Sequence, residues 1–374
     1  MHATITKQQL DAALALRDLS DQSQGSHAMQ LVLAAITSAL EHAWGSPVIE
    51  YRASPVVTVD ENYTVLGYAP DATTRDARYT RYLDDKRLLR SHTSAMVPAA
   101  LRATAGAADE RVVACPGLCY RRDVVDRIHV GEPHQLDLWR VRRGEPVESD
   151  DLREMIGLIV EAVMPRAEHR AIPAEHPYTE DGLEVEMRTA GGWVELLECG
   201  LAGSHVLAAG GLDPTEWSGL ALGMGLDRAL MLRKGIDDIR LLRSDDPRIA
   251  SQMLTLEPYR PVSSMPAVRR DLSIAVAAEL TAEELGDRVR SALPAEALDA
   301  VEEITVLTET PGGDLPPQAI ERIGLVDGQK NVLVRLVLRD PSRTLTAEEA
   351  NVVRDRVYTA VHEGTAWQWA GGSA

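Results

Sequence analysis

Phenylalanine is missing altogether from these 374 residues. Six Trp and nine Tyr are present, so aromatic side chains as a class have not been lost. Cysteine is scarce, at Cys115, Cys119 and Cys199 only. Three thiols exclude a disulfide framework, and the CPGLC stretch at 115–119 lacks the second ligand pair of a zinc site, so buried thiols are expected. No run of 18 apolar residues occurs, which excludes a membrane-spanning helix and a membrane partner of that kind. Positive charge is in deficit: 39 Lys and Arg stand against 57 Asp and Glu, a net of −18. A broadly basic nucleic-acid surface is therefore excluded, and only a local basic track stays open. The N-terminal stretch has neither a secretory core nor an arginine-rich, acid-poor transit pattern, so a cytoplasmic location is expected.

What is present fits a globular chain of two or three domains. Apolar spacing of 3.6 residues from His27 to Leu40 predicts a helix that stops at Gly45. Residues 48–67 read as strands, 69–90 as loop or short helix, and 95–102 as a helix. Alternation over 111–141 predicts an antiparallel pair with a turn-rich loop between its strands. A helix over 150–163, capped by Ser149 and Asp150, comes next, with further strands in 176–187 and 191–200. The apolar run Leu220-Ala221-Leu222 reads as a buried strand, Gly223 and Gly225 follow, and a helix begins with Asp227 and Arg228. An arginine in a first turn works against the helix dipole, which invites a functional explanation. Strands in runs with helices inserted between them predict an α+β fold with an antiparallel sheet.

Periodicity breaks at 254–270, where Pro and Ser accumulate. Beyond it the order is strand, helix, strand, strand, helix and a final strand over 365–370, a ferredoxin-like βαββαβ unit. Both of its helices open with a capping box, Thr281 with Glu284 and Thr346 with Glu349. The expected divisions are 1–84 (N-terminal helices and the start of a catalytic domain), 85–255 (catalytic core) and 256–374 (ferredoxin-like domain).

The run EWSGLALGMGLDRALMLRKGIDDIRLLRSDDPR at 216–248 resembles motif 3 of a class II aminoacyl-tRNA synthetase, specifically the phenylalanyl-tRNA synthetase family. GLCYRRDVVDRIHVGEPHQLD at 117–137 resembles motif 2. MPAVRRDLSIAV at 265–276 and LVRLVLRDPSRTLTAEEANVVRDRVYTAV at 333–361 resemble the anticodon-binding domain of the single-chain, mitochondrial-type enzyme. The resemblance implies a class II synthetase antiparallel-sheet catalytic domain, a C-terminal anticodon-binding domain, and a monomer or homodimer. Amino acid, ATP, Mg²⁺ and tRNA are the implied partners. It assigns Arg121 to the α-phosphate, with Arg122 facing outward, His129 to the ATP phosphates, Pro133 to the adenine face and Arg228 to adenine and the γ-phosphate. A fixed arginine suits phosphate charge that grows in the transition state. His92, Ser94, Gln135 and Asp137 are implied to cradle the substrate's ammonium group. Glu180 is implied to serve Mg²⁺, Glu195 to support the site, and His176, Tyr178, Ala221 and Leu222 to line the side-chain pocket.

Departures from the family pattern cluster in that pocket. Its Phe-Pro-Phe is His176-Pro177-Tyr178, its Phe-Ala-Phe is Leu220-Ala221-Leu222, its adenine-stacking Phe is Pro133, and a site glutamine is Val97. Asp137 replaces a glutamate one methylene longer. Two readings of the pocket stay open. In one, His176 and Tyr178 recognise a polar, phenylalanine-like amino acid; in the other they bond to neighbours and still pack on phenyl. Ala221 leaves room for a phenyl ring and little more. The absence of phenylalanine is drift, or it marks a protein made when Phe-tRNA is scarce or mischarged. Two rival functions are adenylation for a non-tRNA acceptor and a non-catalytic, synthetase-like regulator. Residues 261–374 hold 11 Lys and Arg against 18 Asp and Glu, a balance of −7. Anticodon binding there needs Arg269, Arg270, Arg335, Arg339, Arg343, Arg354 and Arg356 gathered on one face.

Overall fold

The computed structural model describes residues 4–106, 108–262, 266–340 and 343–367. The chain forms two compact units. The first comprises Met1–Arg121, Glu132–Ile236 and Ser251–Tyr259; the second comprises Arg122–Gly131, Asp237–Ala250 and Arg260–Ala374. Residues 4–84, expected as N-terminal helices and the start of the catalytic domain, belong to the first unit.

Helices α1 (Lys7–Leu14) and α2 (Ala28–Trp44) open the first unit. Its main sheet contains β1 (Val48–Glu50), β4 (Glu110–Leu118), β5 (His134–Arg143), β6 (His169–Pro173), β7 (Thr179–Thr189), β8 (Gly192–Ala202) and β9 (Trp217–Gly225). A separate ribbon pairs β2 (Val56–Thr58) with β3 (Arg87–Leu89). The main-sheet order is β1-β4-β5-β9-β8-β7-β6, antiparallel at every step except the parallel β1–β4 pair.

Pleat alternation gives the sheet two different faces. Leu136, Leu138, Leu220, Leu222, Leu197 and Cys199 share one face, and all six are buried. On that side lie α2, α5 (Ser149–Val163) and α7 (Leu226–Lys234), which pack on one another and on β5 and β8. The N-cap of α5 is Glu148, paired with Asp151 in a capping box, one residue before the expected cap. Trp139, Val141, Ala221 and Cys115 occupy the other face and join a core with α4 (Val97–Ala103) and α6 (Ser204–Ala209). Those short helices cover only part of that face. The site lies beside them.

In the second unit β10 (Val268–Ala277), β12 (Gln329–Leu338) and β11 (Val301–Pro311) form an antiparallel sheet in that order. Helices Ala282–Ala292 and Ala347–Val361 cover one face, burying Leu272, Ile274, Val334, Leu336, Leu285, Val289, Val353 and Val357 together. Both expected capping boxes are formed, Thr281 with Glu284 and Thr346 with Glu349. Residues 365–367 of the expected final strand are not in a strand, and 368–370 lie outside the described residues. The backbone there turns instead to Gly324, whose carbonyl accepts from Thr365 N–H at 2.8 Å.

Candidate active site

Register brings the chemistry together. Asp137 on β5 pairs with Gly223 on β9, and Gly223 pairs with Glu198 on β8, so the three share one row and one face. Gln135 pairs with Gly225 one step along, and Trp139 with Ala221 and then Gly200 one step back. Along β9 this face therefore carries Ala221, Gly223 and Gly225, a groove of small residues between taller walls.

Asp137 is buried, 2% exposed. Thr93 Oγ1 donates to its Oδ2 at 2.7 Å, and Trp139 Nε1 reaches its Oδ1 at 3.4 Å. Burial pushes the carboxyl up to about 6, against hydrogen bonds from Thr93, Ser94 and Trp139 that pull it down. His92 lies next to Thr93, stacked on Tyr68 at 5.5 Å between centroids and edge-on to Tyr63 at 6.0 Å. Both its ring nitrogens are buried without a partner among the described residues. Burial, and after it the charge of Arg121, hold the imidazole down at about 4, so near neutral pH it offers an acceptor nitrogen. Ser94 is buried beside them. Gln135 Oε1 accepts from Cys119 Sγ at 3.3 Å, and the Pro133 carbonyl accepts from Cys119 N–H.

Arg121 and Arg228 leave the sheet at one edge. Strands β4 and β9 flank β5 and run the same way; Arg121 follows the end of β4 and Arg228 lies in the first turn of α7 directly after β9. The charge of Arg121 is felt at His92 and Tyr68, which puts it on the Asp137 side. Arg228 pairs with Glu195 at 3.3 Å, and both side chains are partly exposed. Its helix is pinned by a buried pair, His134 Nδ1 to Asp227 Oδ1 at 3.0 Å. Leu19 N–H donates to His134 Nε2 at 3.0 Å, so Nδ1 carries the proton that goes to Asp227. His129 belongs to the second unit, where its Nδ1 pairs with Asp126 at 2.7 Å.

His176 and Tyr178 stack at 5.8 Å, and Tyr178 tilts against Trp139 at 6.5 Å. Tyr178 Oη is 3.4 Å from Glu198 Oε2, and His176 Nε2 is 3.6 Å from the same atom. Ala221 is buried with Trp139 and Tyr178. Leu222, expected in this pocket, is instead on the helix-covered face, in register with Leu138 and Cys199. Alternation sends only the middle residue of the Leu-Ala-Leu run toward the site. Glu180 is likewise away from it: it is exposed and in register with Leu201, on the side opposite Glu198. Among the described residues no group of three or more His, Cys, Asp and Glu is arranged to hold a metal.

Four contributors escape a reading of the sequence. Thr93 is hidden between two nominated residues, and Tyr68 sits in a charged loop. The His134–Asp227 pair is non-local. Glu198 depends on a bulge: Glu186 pairs with Glu195 but Val185 pairs with Leu197, so Leu196 is the extra residue. Glu195 and Glu198 therefore share a face despite their odd spacing.

Residues 12–253 match the tRNA synthetases class II core domain (F), and residues 263–368 match the ferredoxin-fold anticodon binding domain. The chain belongs to the class II tRNA synthetase family. Curated relatives that it matches include phenylalanine--tRNA ligase alpha subunits. The one from Prochlorococcus marinus (strain MIT 9313) is 35% identical over 54% of this chain and 60% of its own length. That from Exiguobacterium sibiricum is 31% identical over 66% of this chain and 77% of its own. The chain thus spans little more than half the length of several relatives, 60% of the first and 56% of the one from Acaryochloris marina. A solved pyrrolysyl-tRNA synthetase from Desulfitobacterium hafniense is 20% identical, covering 64% of this chain and 78% of that one, with a TM-score of 0.46. ATP and Mg²⁺ are the general requirements of class II synthetases, and no helix among the described residues is long and apolar enough to cross a membrane.

Proposed function

We propose that this protein is an ATP-dependent aminoacyl-tRNA ligase of the phenylalanyl type, which activates phenylalanine or a polar relative of it and transfers it to tRNA. One observation carries the reading: the buried carboxylate of Asp137, fixed by Thr93 next to His92 in the chain, shares a sheet edge with Arg121 and Arg228. A carboxylate with hydroxyl and imidazole acceptors around it suits an α-ammonium group. Ser94 and Gln135 extend that cradle. The substrate's own carboxylate then attacks the α-phosphorus of ATP, the bond to the bridging oxygen breaks, and pyrophosphate leaves. Arg121 stabilises charge on the α-phosphate, and Arg228 exchanges Glu195 for adenine and the γ-phosphate. Pro133 serves the adenine face. The second step is attack by a terminal ribose hydroxyl of tRNA on the adenylate carbonyl, releasing AMP. Mg²⁺ would enter with the triphosphate and balance its charge. ATP–pyrophosphate exchange with a panel of amino acids, followed by charging of total tRNA, tests both steps. No exchange with any amino acid would sink the reading.

The arginines of the second unit favour a second reading, adenylation for an acceptor other than tRNA. Four of the seven nominated are paired with carboxylates. Arg335 forms a bidentate pair with Asp271 at 2.8 Å, Arg343 pairs with Asp340 and Glu349, Arg354 with Asp355, Arg339 with Glu302, and Arg270 bonds Asn351. Charging of total tRNA decides between the two.

A further inference from the structure

Asp137 and Glu198 are two carboxylates in one row with only Gly223 between them. Two strand spacings put their Cα atoms roughly 10 Å apart. A Cβ at Gly223 would stand 4.0 Å from Asp137 Oδ2 and 3.7 Å from Tyr178 Oη. Both groups thus converge over the bare glycine, while Glu198 closes the far side. An amino acid seated with its ammonium on Asp137 has its side chain running over Gly223 toward Glu198.

Glu198 is under-satisfied. Its Oε2 has Tyr178 Oη at 3.4 Å and His176 Nε2 at 3.6 Å, contacts at and beyond the limit of a hydrogen bond, and its Oε1 has no partner among the described residues. The side chain is 43% exposed. A bare phenyl ring laid there would strip water from a carboxylate and return no hydrogen bond, an unfavourable exchange. A ring bearing a donor would satisfy it. Neighbouring charge points the same way: Glu184, next in the row, has its carboxyl raised by burial and by Glu195, Glu186 and Glu198. A partly positive side chain is favoured in that field.

We propose that Glu198 sets the amino-acid specificity of this pocket, and that the side chain it selects is phenyl-sized and ends in a hydrogen-bond donor, such as an amine, in place of an unsubstituted ring. The proposal rests on the ligase reading and names its substrate class. Tyr178 holds the Glu198 carboxylate from one side, and His176, stacked behind Tyr178, faces the same oxygen.

The test measures pyrophosphate exchange with phenylalanine, tyrosine and 4-aminophenylalanine for the full chain and for Glu198→Ala and Glu198→Gln. The wild-type protein is expected to favour 4-aminophenylalanine over phenylalanine by about 100-fold or more in kcat/KM. Glu198→Ala is expected to bring that ratio to within about tenfold, mostly through KM, and Glu198→Gln to keep part of the preference through its amide oxygen. Equal or better use of phenylalanine by the wild type, or a ratio unmoved in Glu198→Ala, overturns the proposal. So does a changed Mg²⁺ requirement at constant ratio, which would assign the carboxylate to the triphosphate's cation. Calorimetric binding of the sulfamoyl-adenosine analogues of phenylalanine and 4-aminophenylalanine separates the two levels. If exchange is absent throughout, the ligase reading fails, while a Glu198-dependent preference between the analogues still decides the pocket.

Discussion

Thr93 donates its hydroxyl hydrogen to Asp137 at 2.7 Å, deep in the sheet's site face. That bond orients the carboxylate yet does not cancel the penalty of burying it, and the carboxyl is pushed up to about 6. Activation that needs an ionised Asp137 is therefore expected to lose kcat/KM for the amino acid as pH falls below about 6. Exchange rates measured from pH 5 to 8 check this. A profile flat through pH 6 would separate Asp137 from ammonium binding.

The same shift predicts a stability effect of opposite sense. A carboxyl with a raised native pKa binds its proton more tightly in the folded state, so its contribution is present below the ordinary carboxylate range and is lost as pH rises through about 6. Asp137→Asn keeps a bonding partner for Thr93 and removes the buried charge. It is expected to gain about 2–3 kcal/mol of stability at pH 7.5, with that gain gone near pH 4, while amino-acid activation collapses. Thermal unfolding at the two pH values reads the first effect and exchange reads the second.

Arg228 is only tethered, since its partner Glu195 is half exposed and the pair spans 3.3 Å. Arg228→Ala should cost less than about 1 kcal/mol in stability. Its exchange rate is expected to fall 10²- to 10³-fold, and the same holds for Arg121→Ala. Comparing unfolding temperature with exchange kinetics distinguishes this from a structural role, which would lower both together.

The segment holding His129 is built into the second unit. Arg290 donates to the carbonyls of Asp123 and Val124, both at 2.6 Å, Arg122 pairs with Asp287 at 3.3 Å, and Val125 is buried in that unit's core. Helix Ala282–Ala292 approaches so closely that a Cβ at Gly286 would stand 2.6 Å from the Asp123 carbonyl. Gly286→Ala is expected to cost about 1–3 kcal/mol in stability through that clash, and Arg290→Ala to lower the unfolding temperature by freeing the two carbonyls. Thermal unfolding checks both, and an unchanged unfolding temperature in both variants would count against this packing.

Arg335 is held by Asp271 on the open face of β10 and β12, and the pair is exposed. Asp271→Ala is expected to cost little stability. It should tighten tRNA binding and steepen the salt dependence of binding by about one unit of slope, as one more arginine reaches phosphate. Filter binding at several salt concentrations measures it, and an unchanged slope would remove this face from the tRNA interface.

Local patterns made much of this molecule legible. The antiparallel pair β4–β5, the strand–glycine–helix step into α7 and both capping boxes follow from spacing within a few residues. That Asp137 lies on a strand of the sheet and Arg228 in the first turn of the helix after its neighbour follows from the contiguous motifs that carry them. Leu222 was misassigned because a three-residue apolar run does not say which residue faces which side; pairing with Leu138 does. Glu180 was nominated from the resemblance alone, and its pairing with Leu201 turns it away from the face of Glu198. Thr93 looked like the spacer between His92 and Ser94, yet it carries the bond to Asp137. The last strand was expected from a fold template, and the chain's contact with Gly324 is of another kind.

The extra residue at Leu196 has a consequence for how this pocket can change. With it, β8 presents Glu195 to the helix-borne guanidinium and Glu198 to the side-chain groove from a single surface. Remove that one residue and the ladder would run on regularly, Glu195 still opposite Glu186 and Glu198 still opposite Glu184; keep it but iron out the bulge, and strict alternation would send the tether of Arg228 to the helix-packed side while Glu198 stayed opposite Gly223. The two carboxylates thus survive a one-residue shortening together, and only a slip in how β8 pairs with β7 would part them.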